Sequence, residues 1–451
     1  MKNVLLKIDK FFKISERGSS ISKELIGGLT IFLAMVYILP VNAGMLSAAG
    51  MDFAAVFAAT ALSAAIASII MGLYGNYPIG LASGMGVNAF FTFTVVMKLQ
   101  FSWEEALAAV LVSGILFLIV SITGLRKLII NAIPKNLKLA VGAGIGFFIA
   151  FIGLKNGGII VNDPDTFVTL GNLAHPTVLL SLFGLILVFL LFALNKKVSR
   201  FAIIISIAAT GVLGILLGLI FPSLKDVMPS VGGANLGSIS NIGQTFGKAF
   251  GAMGSLFKNP MAYVVIFTFL FVDFFDTAGT LVAVGHDAGL VDAEGQLVDD
   301  QKAFLADAVG TVAGAILGTS TVTSFIESTT GIESGARTGL SATVIGLLFI
   351  LSLLFYPLFS FVGSIEVNGA FLSPVTSMAL IYVGALMISS LKDIDWKDNI
   401  AVASTFITMI IMLLAGSIAE GIAFGFIFYT LMMLVTKRRK EITPTMYILT
   451  A

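Results

Sequence analysis

The sequence predicts an all-α polytopic membrane protein of about fourteen segments, and three observations predict it. Of the 451 residues, 57% are hydrophobic and only 11% are charged, against about 25% charged in a soluble globular protein. Apolar windows close to the roughly 20 residues that a spanning helix needs recur along the whole chain. Lys and Arg collect in alternate connections between those windows, as they do where one side of a membrane retains them.

In order, the windows cover residues 24–46, 53–75, 78–97, 103–123, 137–155, 175–195, 200–221, 261–284, 302–317, 318–332, 338–362, 370–390, 398–416 and 419–436. With the N-terminus cytoplasmic, 21 of the 26 Lys and Arg lie inside and five lie outside: Lys98, Lys155, Lys225, Lys248 and Lys258. The inner set includes Arg126, Lys127, Lys135 and Lys138, then Lys196, Lys197 and Arg200, then Lys437, Arg438, Arg439 and Lys440. This asymmetry requires an even number of spans and puts both termini in the cytoplasm.

Residues 1–23 hold Lys and Glu with no apolar run, which predicts a cytoplasmic tail and not a cleaved signal peptide. An amphipathic interfacial helix is expected around Phe11, Phe12 and Ile14. Three connections are long: 156–174 and 222–260, both external, and the acidic cytoplasmic stretch 286–300. No separate soluble domain is expected. With no cysteine, disulfides, thiolate chemistry and Cys-based metal sites are excluded. The two histidines, His175 and His286, fall in loops or at a span edge. The spans therefore offer no nucleophile–base pair and no metal cluster, and neither an enzyme nor a metal or other cofactor is predicted.

Two segments are broken. Residues 77–91 read YPIGLASGMGVNAFF and residues 318–331 read GTSTVTSFIESTTG. The first is third in the list and the second is third in the second set of seven. Matched interruptions in two halves point to an inverted-repeat transporter with its site at the repeat interface. The β-branched run from Thr319 to Thr323 favours an extended backbone, tolerated at membrane depth only where protein or a cavity satisfies it. A helix starting near Ser324 would aim its N-terminal N–H groups into that cavity. The plainer alternative is close packing by Gly and Thr.

Four carboxylates lie within apolar stretches: Asp273, Asp276, Asp307 and Glu327. Each costs roughly 2.5 to 3.5 kcal/mol at a helix centre, so each marks a candidate substrate, ion or proton pathway. Asp273 and Asp276 share a helix face, and Thr280 continues it one turn after Asp276. Asp276 and Glu327 are expected to converge on one cavity where the broken segments cross. Burial favours the uncharged form of a carboxyl group, which makes proton coupling an expectation. A sodium site of carboxylate, hydroxyl and carbonyl oxygens stays open, as does a structural role in ion pairs or helix caps. The nearest cations, Lys302 and Arg337, sit at span edges. Phe90, Phe91 and Phe325 on the broken segments are candidate stacking surfaces for a flat heteroaromatic ligand whose edge N–H groups donate to carboxylates. Asn88 adds an amide.

The chain resembles the AzgA-like purine permeases, a branch of the nucleobase/ascorbate transporter superfamily. The resemblance runs from about Phe12 to about Lys437 and rests on GLTIFLAMVYI at 28–38, GMGVNAFF at 84–91, GLKNGGIIV at 153–161, FDTAGTL at 275–281, GTSTVTSFIESTTG at 318–331 and GARTGL at 335–340. It implies fourteen spans in two inverted seven-span repeats, with short antiparallel strands in spans 3 and 10. It implies a core domain (24–124 and 261–362) and a gate domain (125–260 and 363–436), flanked by tails at 1–23 and 437–451. It further implies proton-coupled, elevator-like import of adenine, guanine or hypoxanthine by a homodimer in the plasma membrane, with no nucleic-acid partner. By the same resemblance Asp276 and Glu327 bind the base, Thr280 faces it, Asn88 belongs to the span 3 motif and Asp307 supports the site. Asp273 stands outside the conserved part of that motif. Rival readings are a uracil or xanthine permease of the same superfamily, an anion transporter of the related sulfate/bicarbonate fold, and a channel.

Overall fold

The computed structural model describes residues 2–123, 125, 133–194, 196–230, 241–291, 297–362, 365–367 and 370–450. Arg126, Lys127 and residues 231–240 and 292–296 of the predicted connections lie outside these. The chain is helical almost throughout. In order come α1 (Lys2–Phe12), α2 (Ile21–Met35), α3 (Ile38–Ser47), α4 (Phe53–Ile70), β1 (Leu81–Ser83), α5 (Met85–Ala89), α6 (Trp103–Thr123) and α7 (Lys135–Asn156). Then follow β2 (Ile160–Asp163), β3 (Phe167–Leu170), α8 (Pro176–Ala193), α9 (Ala202–Ile220), α10 (Met261–Asp287), α11 (Asp300–Leu317) and β4 (Val322–Ser324). The last are α12 (Thr329–Glu333), α13 (Gly339–Ser352), β5 (Ile365–Val367), β6 (Ala370–Leu372), α14 (Ser377–Ile388), α15 (Asn399–Ala415) and α16 (Ile418–Val435).

Among the described residues nine helical stretches are long and apolar enough to cross a membrane, counting Ile21–Ser47, Phe53–Gly75 and Gly339–Pro357 as single stretches. The chain is a multi-pass membrane protein. Of the remaining predicted windows, the third, tenth, twelfth and thirteenth are present in shorter form, and the ninth forms an 18-residue helix that carries Asp300, Lys302 and Asp307. The third is β1, α5 and a wider turn through Lys98; the tenth is β4 and α12; α11, α14 and α15 are the others. Side-chain caps start several spans. Asp52 accepts from Ala55 N at 2.8 Å, Asp398 from Ile400 N at 3.0 Å and Ser20 from Lys23 N at 3.4 Å, each supplying a partner to a helix-end N–H.

The helices pack in two sets. In one, α13 lies on α2 and α4, and α11 on α4 and α6, with α10 also against α6. In the other, α14 lies on α7 and α8, α15 on α7 and α16, and α9 on α8. Small residues let backbones approach: a Cβ at Gly146 of α7 would come 2.7 Å from the Gly384 carbonyl of α14.

The predicted strands in segments 3 and 10 are present and pair with each other, antiparallel, as Leu81↔Ser324, Ala82↔Thr323 and Ser83↔Val322. Backbone bonds extend the ladder at both ends, from Gly84 N to Thr321 O (3.1 Å) and from Phe325 N to Gly80 O (3.0 Å). Two hydroxyls satisfy the outer edges. Ser68 of α4 accepts from Leu81 N at 3.0 Å, and Thr311 of α11 accepts from Val322 N at 3.1 Å. Every such group needs a partner inside a bilayer, so the strands are stable only within this frame of helices.

Four details differ from the sequence-based expectation. The extended run continues through Ser324, held by β1, and is followed by a single 3-10 turn (Ile326–Ser328) and the five-residue α12 instead of a half-helix from Ser324. The stretch after α7 holds the hairpin β2–β3, whose turn is closed by Asp163 Oδ1 accepting from Asp165 N (3.0 Å) and Thr166 N (2.7 Å). Residues 370–372 pair as β6 with β5, so the twelfth helix begins only at Ser377, beyond Pro374. Near the N-terminus, Phe12 and Ile14 are buried within the protein and only Phe11 is exposed, because the Phe12 carbonyl is tied to Asn76 Nδ2 at 3.0 Å.

Candidate functional site

The strand crossing aims two short stretches of backbone at one cavity. Gly84 ends β1 with no Cβ; one placed there would lie 2.7 Å from Thr323 Cγ2 of β4. Past β4 the chain turns, carrying Phe325 and Glu327 to the same side. α10 runs alongside and brings Asp276 and Thr280, one turn apart on one face. α2 stops at Met35, and the break before α3 holds Tyr37. Together these line one cavity. The far side is Ile145 of α7 with Val383 and Met387 of α14.

Of the residues singled out from sequence, Asp276, Thr280, Phe325 and Glu327 line this cavity, and Asn88, Phe90, Asp273 and Asp307 do not. Phe90 stacks edge-on against Phe269, ring centres 5.0 Å apart. Asn88 Oδ1 accepts from the Ser320 hydroxyl, and beside it in the chain Thr319 accepts from Asn42 Nδ2 (2.8 Å), which also donates to Thr60 (2.7 Å). Asn88 is thus held by the run before β4, and Phe90, just past the end of α5, by α10.

Asp273 and Asp307 form a rear layer. Thr311 Oγ1 donates to Asp273 Oδ2 at 2.8 Å, and Ser324 Oγ to Asp307 Oδ1 at 3.2 Å. Among the described residues no cation pairs with any of the four acids. Lys302 Nζ is held by Asp299 at 2.9 Å, and Arg337 Nη1 donates to the carbonyls of Ile332 and Ala336, both at 2.6 Å. Among the described residues no cluster of three or more His, Asp or Glu side chains is arranged to hold a metal ion.

Sequence reasoning missed Tyr37. Its hydroxyl donates to Glu327 Oε1 at 2.8 Å, orienting that carboxylate and leaving its other oxygen for a ligand. A signal was present: a fully buried phenol in the middle of an apolar span needs a hydrogen-bond partner. The apolar wall of α7 and α14 carried no signal, since Ile, Val and Met there read as ordinary lipid or core residues.

The lining offers two carboxylates, from Asp276 and Glu327, and the hydroxyl-bearing residues Tyr37, Thr280, Thr323 and Ser324, together with Phe325. It can accept hydrogen bonds from a planar ligand rich in N–H donors and provide a ring to stack on it.

A permease family matches the chain over residues 22–437. Among similar proteins, the guanine/hypoxanthine permease PbuG of Bacillus subtilis is 46% identical over 446 residues, covering 97% of this chain and 96% of that one. The adenine permease AdeP of Escherichia coli is 39% identical, covering 98% and 94%. Among solved structures, the transmembrane domain of the cyanobacterial bicarbonate transporter BicA superposes with a TM-score of 0.62 at 15% identity, covering 89% of this chain and 97% of that one. That likeness concerns the fold alone.

Proposed function

This chain belongs to the permease family, and from that premise we propose that it imports purine nucleobases across the plasma membrane in symport with protons. The observation that carries the reading is the convergence of Asp276 and Glu327 on one cavity with no cation between them. A purine presents ring and exocyclic N–H groups along one edge, and two carboxylates accept them while Phe325 stacks on the ring face. The relatives named for guanine, hypoxanthine and adenine support the class of substrate. An anion transporter would place cationic or neutral groups where this chain has two acids.

The two helix sets correspond to a core (24–124 and 261–362) and a gate (125–260 and 363–436). The acids and the strand ladder belong to the core, and Ile145, Val383 and Met387 belong to the gate. Transport is then an elevator-like movement of the core, with its bound base, along the gate. A homodimer formed through the gate would anchor that movement, with both termini cytoplasmic.

The test is uptake of radiolabelled guanine, hypoxanthine, adenine, xanthine and uracil by cells lacking their own base permeases, with and without a protonophore. Concentrative purine uptake that the protonophore collapses supports the reading. Uptake of uracil in preference to the purines overturns the substrate class, and uptake of xanthine in preference to guanine, hypoxanthine and adenine overturns the choice among purines. Protonophore-resistant accumulation that requires sodium overturns the coupling ion.

A further inference from the structure

Asp273 and Asp307 have no place in the cavity, yet they are among the most costly residues in the protein. Both are buried, at 1% and 0% exposure. Each has one carboxylate oxygen with a hydroxyl donor and one with none: Oδ1 of Asp273 and Oδ2 of Asp307 are buried without a hydrogen-bond partner. α10 and α11 pack on each other, and each brings a hydroxyl to the acid of its neighbour. Thr311, one turn after Asp307, donates to Asp273, and Thr277, one turn after Asp273, stands beside Asp307. Two ionised carboxylates without a cation in a low-dielectric layer repel each other and both go unsolvated. A single proton held by the pair would remove that repulsion.

We propose that Asp273 and Asp307 form a carboxyl pair that holds a single shared proton, and that this pair, not the base-binding acids, is the seat of the transported proton. The inference rests on the proton-symport reading above and assigns its coupling site. The pair is wired to the cavity through β4. Ser324 donates to Asp307, and Thr311, which orients Asp273, also accepts from Val322 N. Between these two tethers, Thr323 lines the cavity beside Asp276. Loss of the shared proton leaves two like charges between α10 and α11, and the strain falls on the strand that carries the site.

The other titratable groups around the pair are few. Asp276 is on its own helix, and Glu327 with Tyr37 lies across the strand crossing. α4 has no titratable residue, and Glu104 and Glu105 of α6 are confined to its first turn. Glu333 and Glu420 are taken by Arg200 and Lys98.

The test uses purified full-length protein in lipid. Infrared spectra recorded across a pH series report the C=O stretch of a protonated carboxyl group, and calorimetry reports guanine and hypoxanthine binding. The wild type should show a protonated-carboxyl band that titrates. The double variant Asp273→Asn/Asp307→Asn should lose it while still binding base, and Asp276→Asn/Glu327→Gln should keep it while losing base. In proteoliposomes the first double variant should exchange labelled base across the membrane but no longer accumulate it under a proton gradient. Thr311→Val preserves both acids but removes the hydroxyl's bonds to Asp273 and to Val322 N, and it should shift the midpoint of the band. A band that survives in Asp273→Asn/Asp307→Asn, a midpoint unmoved by Thr311→Val, or gradient-driven accumulation in the first double variant overturns the proposal. Sodium dependence of the band also overturns it. Failure of the wild type to bind any purine sinks the assigned substrate, but leaves the infrared result to decide the pair on its own.

Discussion

The two walls of the cavity differ in kind. One, built from α2, β1, β4, the turn after it and α10, supplies Tyr37, Asp276, Thr280, Thr323, Phe325 and Glu327. The other, from α7 and α14, supplies Ile145, Val383 and Met387. Every polar contact available to a ligand is on the first wall, and the second offers only shape. A site split this way can move as a unit. The polar lining residues belong to one set of helices, and the elevator movement proposed above would break no directional bond to the apolar face opposite.

This asymmetry is open to attack in order of expected effect. Asp276→Asn or Glu327→Gln should lower purine uptake at subsaturating base by about 100-fold or more, because each loses a charged acceptor facing a buried donor; near-normal uptake by both expressed variants would remove these acids from the site. Phe325→Ala should weaken apparent affinity by about tenfold, the scale of one base–aromatic stack, read as competition by unlabelled hypoxanthine. Tyr37→Phe should cost about fivefold, since one hydrogen bond that orients Glu327 is lost while the ring remains. On the opposite wall, Met387→Leu should change affinity by less than about twofold, as expected for a volume-conserving apolar swap. A loss there as large as that of Phe325→Ala would mean that the apolar wall selects the ligand. Phe90→Leu serves as the control behind the first wall. It should lower the melting temperature of the purified protein through its lost contact with Phe269 while leaving affinity within about twofold.

Much of this was legible in the sequence. The two broken segments were visible because β-branched runs and glycine interrupt an otherwise apolar helical pattern, and Asp276 and Glu327 were visible because a carboxylate in an apolar span is costly. The resemblance to purine permeases then joined them. Side-chain direction was not legible. Asn88 and Phe90 are on a broken segment, yet Asn88 bonds to Ser320 and Phe90 packs on Phe269, partners that no periodicity in the sequence reveals. Tyr37 escaped because its partner, Glu327, is far away in sequence. The late start of α14 and the hairpin β2–β3 escaped because three- and four-residue strands leave almost no alternating pattern to detect.

The strand crossing also dictates when the site can exist. Gly80 N reaches Ser328 Oγ across 248 residues of chain, and β1 finds its partner only when β4 has left the ribosome. Until then the edge of β1 lies at membrane depth with Ser68 as its one satisfying neighbour. The first half of the polypeptide is therefore an insertion intermediate with exposed backbone polar groups. Biogenesis has to shelter that edge for most of the translation time, and truncations that end before β4 should be the substrates that membrane quality control removes first.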